Sequence, residues 1–353
     1  MQDSGTAAGL RGIDSVDGTV AWASGTGGTV LKTTDRGAHW QKCAVPDGDK
    51  DGATLDFRGV QAWDAQTAIV MASGPGEKSR LYKTVDGCKT WKLLFVNPDT
   101  PEGFFDSFHL MIEQRLLSED EGFGLLMGDP VQGELSIFET RDGGNTWRRL
   151  HDPLLKVKGA AFAASNQCIR SMNATNDFVI GGALESTHLR LNYSGTYWLN
   201  DNSPITRTWY RKRLPIASGA ESAGPFAIGA RAELKYASDG NTVLNIMFHG
   251  IAVGGDYTKP NESTGTAAFS TTGSEHWTAS ATPPHGYRST VQWSDSLKLW
   301  ITAGTNGSDI SRDDGKTWQP LDNGNWNALS LPFIVGPNGR IGRLDAAALP
   351  ASR

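Results

Sequence analysis

The sequence predicts an all-β fold, a β-propeller, and three observations lead to it. An eight-residue motif, Ser/Thr-x-Asp-x-Gly-x-Thr-Trp, recurs along the chain. The tryptophans that end its copies stand 41–68 residues apart, a spacing that suits one four-stranded propeller blade per repeat. The 353 residues also include 42 Gly and 12 Trp, a composition typical of many short strands joined by tight turns.

The motif occurs in four well-formed copies and two degenerate ones. The well-formed copies are Thr33–Trp40, Thr84–Trp91, Thr140–Trp147 and Ser311–Trp318. Cys88 replaces the glycine of the second copy, and the degenerate copies are Ser270–Trp277 and a segment ending at Thr208-Trp209. In such a turn the Asp and Ser/Thr side chains bind backbone N–H groups, and the Trp fills the space between neighbouring sheets. We therefore interpret the motif aspartates as structural.

Counting the inner strands predicts seven four-stranded antiparallel blades, with six as the alternative. Inner strands are expected to open near Leu10, Phe57, Phe105, Ala160, Gly224, Tyr287 and Trp326. The last unit, Asn325 to Leu344, has about three strands, so the segment before Leu10 is expected to supply its outer strand and close the ring. We expect a single domain over 1–353 with a long loop insertion at about 185–223.

Composition removes several classes of function. The net charge of −5 gives no basic field for nucleic acid, and no apolar stretch is long enough for a membrane span. The sequence contains no phosphate-binding loop, dinucleotide fingerprint or His/Cys cluster, so neither a cofactor nor a metal is expected. Cys43, Cys88 and Cys168 make an odd count, and we interpret them as buried free thiols.

One repeat carries a family resemblance. The stretch Ala21-Trp22-Ala23-Ser24-Gly25, followed by Gly28 to Gly37 and Trp40, resembles a repeat of the photosystem II stability/assembly factors. Its motif resembles the Asp box, or BNR repeat, which sialidases share. The resemblance implies a seven-bladed propeller in a thylakoid or periplasmic-side compartment, so we expect a periplasmic or secreted protein, acting as a monomer. It leaves two function classes open, a binding or assembly protein and a glycosidase.

A ligand site is expected at the channel mouth on the face opposite the Asp boxes. Superposing the seven units places these residues around that mouth: Arg11, Arg58, Asp106, Ala160, Gly224, Arg288 and Asn327. The arginines suit bidentate recognition of a carboxylate, so an acidic protein segment or an anionic glycan is the expected partner. The alternative is structural, with Arg58 and Asp106 pairing across blades.

Further polar candidates on that face fit the glycosidase hypothesis. Asp129 is expected close to Asp106, and two such carboxylates are the minimum for glycoside hydrolysis. Arg11, Arg58 and Arg288 would then stand where sialidases place three arginines, although the Arg-Ile-Pro signature is absent. The remaining candidates for ligand contact are Tyr287, Asp256 and His188.

Overall fold

The computed structural model describes residues 1–111, 122–172, 175–183, 185–194, 206–236 and 243–350. They form seven antiparallel sheets around a central channel, which confirms the seven-bladed propeller. In each sheet the strands pair in chain order, from the inner strand at the channel to the outer strand at the rim.

The first three blades occupy residues 10–150. Blade 1 contains β1 (Leu10–Ser15), β2 (Ala21–Gly25), β3 (Val30–Thr33) and β4 (Gln41–Lys42). Blade 2 contains β5 (Phe57–Ala62), β6 (Ala68–Ala72), β7 (Arg80–Thr84) and β8 (Lys92–Val96). Blade 3 contains β9 (Phe105–Met111), β10 (Phe123–Val131), β11 (Glu134–Thr140) and β12 (Arg148–Leu150).

The other four blades follow. Blade 4 contains β13 (Ile169–Met172), β14 (Thr175–Ile180), β15 (Thr187–Ser194) and β16 (Thr206–Arg213). Blade 5 contains β17 (Ala223–Tyr236), β18 (Val243–Asp256), β19 (Ala267–Ser270) and β20 (Thr278–Ala279). Blade 6 contains β21 (Thr290–Ser294), β22 (Leu299–Gly304), β23 (Gly307–Ser311) and β24 (Gln319–Asp322), and blade 7 contains β25 (Ala328–Ser330), β26 (Phe333–Val335) and β27 (Ile341–Arg343).

Helical structure in the described ranges is limited to short 3₁₀ turns. These are Gly52–Thr54, Gly76–Lys78, Pro153–Leu155 and Ala346–Ala348. Among the residues described, no helix has the length and apolar character needed to cross a membrane.

The N-terminal segment closes the ring at blade 7, as predicted. The backbone N–H of Gln2 donates to the carbonyl of Ile341 at 2.9 Å, which adds an antiparallel bridge beside β27. The Gln2 side chain accepts a hydrogen bond from the Trp40 indole at 3.0 Å, and Trp40 packs edge-on against Phe333 of blade 7. The first and last segments of the chain therefore share one interface, and no sheet edge is left open between them.

The Asp boxes lie at the face where the inner strands end. In blade 3 the Thr140 hydroxyl accepts the Gly144 N–H at 3.0 Å, and Asp142 accepts the Thr146 N–H at 2.8 Å. In blade 2 hydrogen bonds from the hydroxyl and amide of Thr90 lower the pKa of Asp86 to about 2. These aspartates stabilise their own turns, which supports the structural interpretation.

The degenerate copies differ in outcome. In the first, the Ser270 hydroxyl accepts the Ser274 N–H at 3.0 Å, and Thr272 takes the place of the aspartate. In the second, Trp209 lies inside strand β16. Residues 201–205, which precede that strand, lie outside the described ranges.

The expected loop insertion at about 185–223 is wrong for residues 187–194 and 206–213, which are strands, and residues 195–205 lie outside the described ranges. Residues 187–194 and 206–213 are β15 and β16, paired along their whole length from Thr187–Arg213 to Ser194–Thr206. Leu189 and Leu191 of β15 are buried, whereas β16 is mostly polar because it is the outer strand. Its polar sequence therefore resembles a loop, since an outer strand buries only one face.

The interpretation of the cysteines as buried free thiols is right for Cys168 and wrong for Cys43 and Cys88. Cys43 and Cys88 form a disulfide between the end of blade 1 and the Asp box of blade 2, with Cα atoms 5.3 Å apart. Cys88 stands at the box glycine position with a φ of 70°, which is unusual for a residue with a side chain. Cys168 is free and buried, as expected.

Candidate functional site

The predicted mouth is filled by a segment of the chain itself, residues 160–168, which we call the plug. Its Gln167 side chain accepts the Val291 N–H at 2.9 Å and donates to the Leu329 carbonyl at 3.1 Å. Asn166 accepts the Phe108 N–H at 2.8 Å. The plug thus joins blades 3, 6 and 7 across the channel, on the face opposite the Asp boxes.

The plug also binds Asp106 and Asp129, the two carboxylates predicted to be catalytic. Backbone N–H groups of Ala163 and Ala161 donate to Asp106 and Asp129, respectively, and Arg58 donates to the Ala163 carbonyl at 3.4 Å. Burial, together with the charge of Asp129, raises the pKa of Asp106 well above its usual value. Burial raises the pKa of Asp129 to about 6. The pair therefore holds the plug in place, and its catalytic role stays a prediction.

Arg58 and Arg11 lie at the mouth as expected, where each is only partly exposed. Arg58 is paired with Asp56 at 2.8 Å, and its positive charge also favours the ionised form of Asp106 across the blades. The Nε of Arg11 is buried without a hydrogen-bond partner. Tyr287 is buried edge-on against Phe226 with ring centroids 4.7 Å apart. This side of the mouth is packed with aromatic rings.

Two other predicted ligand contacts are structural in this arrangement. Asn327 donates to the Leu10 carbonyl at 2.7 Å and so ties blade 7 to blade 1. Asp256 ends β18 and accepts the Thr258 hydroxyl at 2.6 Å and the Thr258 N–H at 3.0 Å. The hydroxyl bond is the main reason that the pKa of Asp256 falls to about 2. Both residues stabilise local structure.

The assignments of Arg288 and His188 to the mouth are wrong. Arg288 is fully buried within blade 6, where it binds Asp309 and donates to Asn306 at 2.5 Å. The three-arginine set of the glycosidase hypothesis is therefore not formed. His188 is buried in β15, with its Nε2 2.7 Å from Asp177. The sequence pattern did not reveal that both side chains point between sheets.

The Asp-box end of the channel holds a cavity of about 570 Å³. We call it the channel cavity, and residues from the inner strands of all seven blades line it together with Ser165, Asn166 and Gln167 of the plug. Its ionisable lining residues are Asp14, His109, Arg170, Arg231 and Asp295. The plug forms the floor of the cavity, at the end away from the Asp boxes.

The two arginines of the channel cavity differ in their partners, since among the described residues Arg231 is ion-paired and Arg170 is not. Arg231 binds Asp314 at 2.7 Å and Glu233 at 3.1 Å. Burial, helped by the charge of Arg170, lowers the pKa of His109 to about 4, so this side chain is neutral at pH 7. The Nε of Arg170 is buried and has no hydrogen-bond partner. Arg170 is therefore the cation with unused binding capacity among these residues.

Sequence reasoning missed Arg170 because the plug interrupts the inner strand of blade 4. Ala160 pairs with Gly181 near the predicted opening, with Ala160 N–H donating to the Gly181 carbonyl at 2.9 Å, but continuous pairing resumes only after the plug. The unit was aligned on Ala160, whereas β13 begins at Ile169. The intervening residues are the plug, whose polar run Ser165-Asn166-Gln167 was the available signal. A polar run between two inner-strand positions indicates backbone groups that need hydrogen-bond partners.

A second candidate surface lies on the outer edge of blades 3 and 4. Three clefts of about 300, 300 and 250 Å³ follow one another there. We call this surface the basic flank, after the cationic residues that line the clefts: Arg141, Arg148, Arg149, Lys156, Lys158, Arg207 and Arg211. Three carboxylates line the same clefts: Glu139, Asp152 and Glu185. Cations thus outnumber carboxylates on a protein whose net charge is −5.

The arginines of the basic flank converge on one buried carboxylate. Glu139 is bound by Arg207 at 2.9 Å, by Arg148 at 2.9 Å and by Arg141 at 3.0 Å. Burial opposes ionisation, but hydrogen bonds from Arg207 and Tyr193 outweigh it and hold the pKa of Glu139 below its usual value. One negative charge serves three guanidinium groups, and the side chains of Arg148 and Arg141 are 63% and 46% exposed. This cluster keeps free donors directed at solvent.

These features define a seven-bladed propeller with Asp-box turns, a channel floored by its own chain, and a basic outer edge. Two solved structures resemble it in fold over nearly the whole chain. The first, described as YCF48 bound to D1 peptide, has a TM-score of 0.52 and 16% identity, covering 95% of this chain and 93% of that one. The second, YCF48 from Cyanidioschyzon merolae, has a TM-score of 0.51 and 17% identity, covering 95% of each.

This likeness establishes the shared fold and agrees with the resemblance to assembly-factor propellers. Neither a protein-family model nor a curated protein sequence matches the chain.

Proposed function

We propose that this propeller binds an acidic segment of another protein along the basic flank, as an assembly-factor-like scaffold in an exported compartment. The observation that carries the proposal is the sharing of Glu139 among three arginines. A guanidinium group that is only partly neutralised, yet held in place by a buried carboxylate, is preorganised to bind a second carboxylate.

The shape of the basic flank supports an extended partner. Its three clefts run from the Asp box of blade 3, where Arg141 lies, to Lys156 and Lys158 near the opposite face. An extended acidic segment can place successive carboxylates along such a row, and the excess positive charge would speed its association. Trp209 lines the middle cleft beside Arg207 but is buried in the core against Phe178, so the arginines supply most of the contact surface there.

Two further facts favour a protein segment and an exported location. A propeller of similar fold was solved with a peptide bound, which makes a peptide partner the simplest extension to this chain. The Cys43–Cys88 disulfide is the kind of crosslink that persists in oxidising compartments such as the periplasm or the cell exterior.

The test compares charge reversals on and off the basic flank. The double variant Arg148→Glu/Lys158→Glu changes two exposed residues of the flank, and Lys78→Glu/Lys316→Glu makes the same change of charge on blades 2 and 6. Binding of a fluorescent peptide of alternating Glu and Gly would be followed by anisotropy at two salt concentrations. We expect the flank variant to lose about tenfold or more in affinity and the control to change little.

Salt adds an independent check, because an electrostatic interface weakens as ionic strength rises. If the two double variants bind the peptide equally, the basic flank is not the site. If wild-type binding does not depend on salt, the acidic character of the partner is wrong.

A further inference from the structure

The channel cavity is a built site that the proposed function does not use. It is closed at one end by Gln167, whose side-chain oxygen accepts both the Val291 N–H and the Thr290 hydroxyl at 2.9 Å. Its volume of about 570 Å³ falls within the range of small-ligand sites. A floor fixed by hydrogen bonds and a volume of this size suit a small ligand or the end of a chain.

Arg170 is the group that this cavity leaves available. Its partner across the hairpin, Asp177, is already bound by His188 at 2.7 Å and by Arg190 at 2.8 Å. Within the described residues, no carboxylate oxygen lies within 4.0 Å of the Arg170 guanidinium. A buried donor without an acceptor costs roughly 1–3 kcal/mol, so a ligand that supplies the acceptor recovers that free energy.

The other charges of the cavity select the kind of anion. Arg231 is already neutralised by Asp314 and Glu233, and His109 is neutral at pH 7. Asp14 adds an acidic group on the opposite side of the ring, in blade 1. A cavity that contains, among the described residues, one unpaired guanidinium and the carboxyl group of Asp14 favours a ligand with a single negative charge over a phosphate with two. The planar guanidinium also matches the geometry of a carboxylate.

We infer that the channel cavity binds a monocarboxylate group, with Arg170 as its anchor. The carboxylate lies against the Arg170 guanidinium. The amide groups of Asn166 and Gln292, whose oxygens accept the Phe108 and Leu331 N–H groups, line the same cavity. The ligand is either a small carboxylic acid or the carboxyl end of a chain. This site is separate from the basic flank, so each can fail without the other.

The experiment uses acids and their matched amides as probes. Acetate, acetamide, N-acetyl-triglycine and its amide are titrated into the full-length ¹⁵N-labelled protein, and the arginine Nε–Hε resonances are followed by NMR. We expect one buried arginine resonance to shift with both acids and to shift at least about tenfold more weakly with both amides. Arg170→Gln removes that resonance and abolishes acid binding, and Arg170→Lys restores part of it because charge is kept without the fork.

The outcomes separate the possibilities. Acid and amide binding with equal affinity, or Arg170→Gln binding acetate as wild type does, overturns the inference. If Arg170→Gln fails to fold, the acid–amide comparison in the wild type still decides. Tighter binding of N-acetyl-triglycine than of acetate identifies a chain end as the ligand, whereas equal binding identifies a small acid. The flank variant Arg148→Glu/Lys158→Glu is expected to bind acetate normally, even if it no longer binds the acidic peptide.

Discussion

The two ends of the channel are built in opposite ways. At the Asp-box end each turn is stabilised from within, as when Asp142 accepts the N–H of Thr146 four residues later. At the other end the plug is held by distant residues, as when Gln167 binds Leu329, 162 residues away in sequence. The locally built end leaves the centre open as a cavity, whereas the end built from long-range contacts is filled.

The aspartates of the two ends show the same contrast. Asp86 in its box has a pKa lowered to about 2 by hydrogen bonds from Thr90, so it is ionised at neutral pH. Asp106 and Asp129 beside the plug have raised pKa values because burial disfavours the charge. Aspartate thus serves as an ionised hydrogen-bond acceptor in the turns at one end, and as a buried acid whose ionisation is unfavourable at the other. A polar cluster at a propeller mouth therefore does not by itself indicate catalysis.

Breaking the disulfide at the Asp-box end should have the largest effect. Cys43→Ser is expected to lower the free energy of unfolding by about 4 kcal/mol, because the crosslink closes a loop with a sequence separation of 45. Urea unfolding with and without reductant measures it. Cys88→Gly is the matched control, since it also loses the crosslink but restores the box glycine, and it should be the less destabilised variant. Equal stability of wild type and Cys43→Ser would show that the crosslink contributes nothing.

Removing the central side chain of the plug comes next. Gln167→Ala leaves the Val291 N–H and the Leu329 carbonyl without their partner and is expected to cost roughly 2–4 kcal/mol. Gln319→Ala on the outer strand β24 is the control and should cost well under half as much. Chemical denaturation gives both values, and similar losses for the two variants would mean that the plug does not brace the ring.

A single Asp box should tolerate damage better. Thr140→Val keeps the shape of the side chain but removes the acceptor of the buried Gly144 N–H, at a cost of about 1–2 kcal/mol. Thr146→Val, whose exposed hydroxyl donates to Asp142, is expected to cost less. The order of the two thermal midpoints tests this prediction, and a reversed order would contradict it.

Neutralising Asp129 beside the plug should change the free energy of unfolding least, and should raise it, whereas the preceding substitutions lower it. Because the pKa of Asp129 is about 6 in the folded protein and near 4 when unfolded, its contribution to stability is complete below pH 4 and is lost as pH rises to 6. This difference in pKa corresponds to at most about 3 kcal/mol at pH 7.5. Asp129→Asn should therefore raise the free energy of unfolding there, but only by roughly 1 kcal/mol, because the new amide group must still accept the Ala161 N–H and fit a buried site.

The pH profile of that variant provides the check. The decline in stability between pH 4 and 6 should become shallower, with the remainder due to Asp14 and Asp106. Burial raises the pKa of Asp14 to about 6 and also raises that of Asp106. An unchanged profile would mean that Asp129 is not held as a buried acid.

Much of the fold could be predicted from residues that act locally. The Thr140–Trp147 motif specifies its own turn through contacts four residues apart, so repeated copies indicate repeated hairpins wherever they occur. The N-terminal closure followed from counting strands in the last unit and was confirmed by the Gln2–Ile341 bridge.

The site was harder to predict, because the positions of Arg170 and Arg288 depend on register. The inner strand of blade 4 pairs at Ala160, is interrupted by the plug and resumes at Ile169, and this interruption brings Arg170 into the cavity. Side chains alternate between the faces of a strand, so a small error in register moves a charged residue from a channel into a sheet interface.

The sequence alone determined the repeated unit, the number of blades and the way the ring closes, because these depend on short-range turn chemistry and on periodicity. Only the tertiary structure decided which end of the channel the plug fills, which arginines face solvent, and that Cys43 meets Cys88. Those outcomes come from contacts between blades, and residues brought together across a ring carry no mark of that proximity in the linear order of the chain.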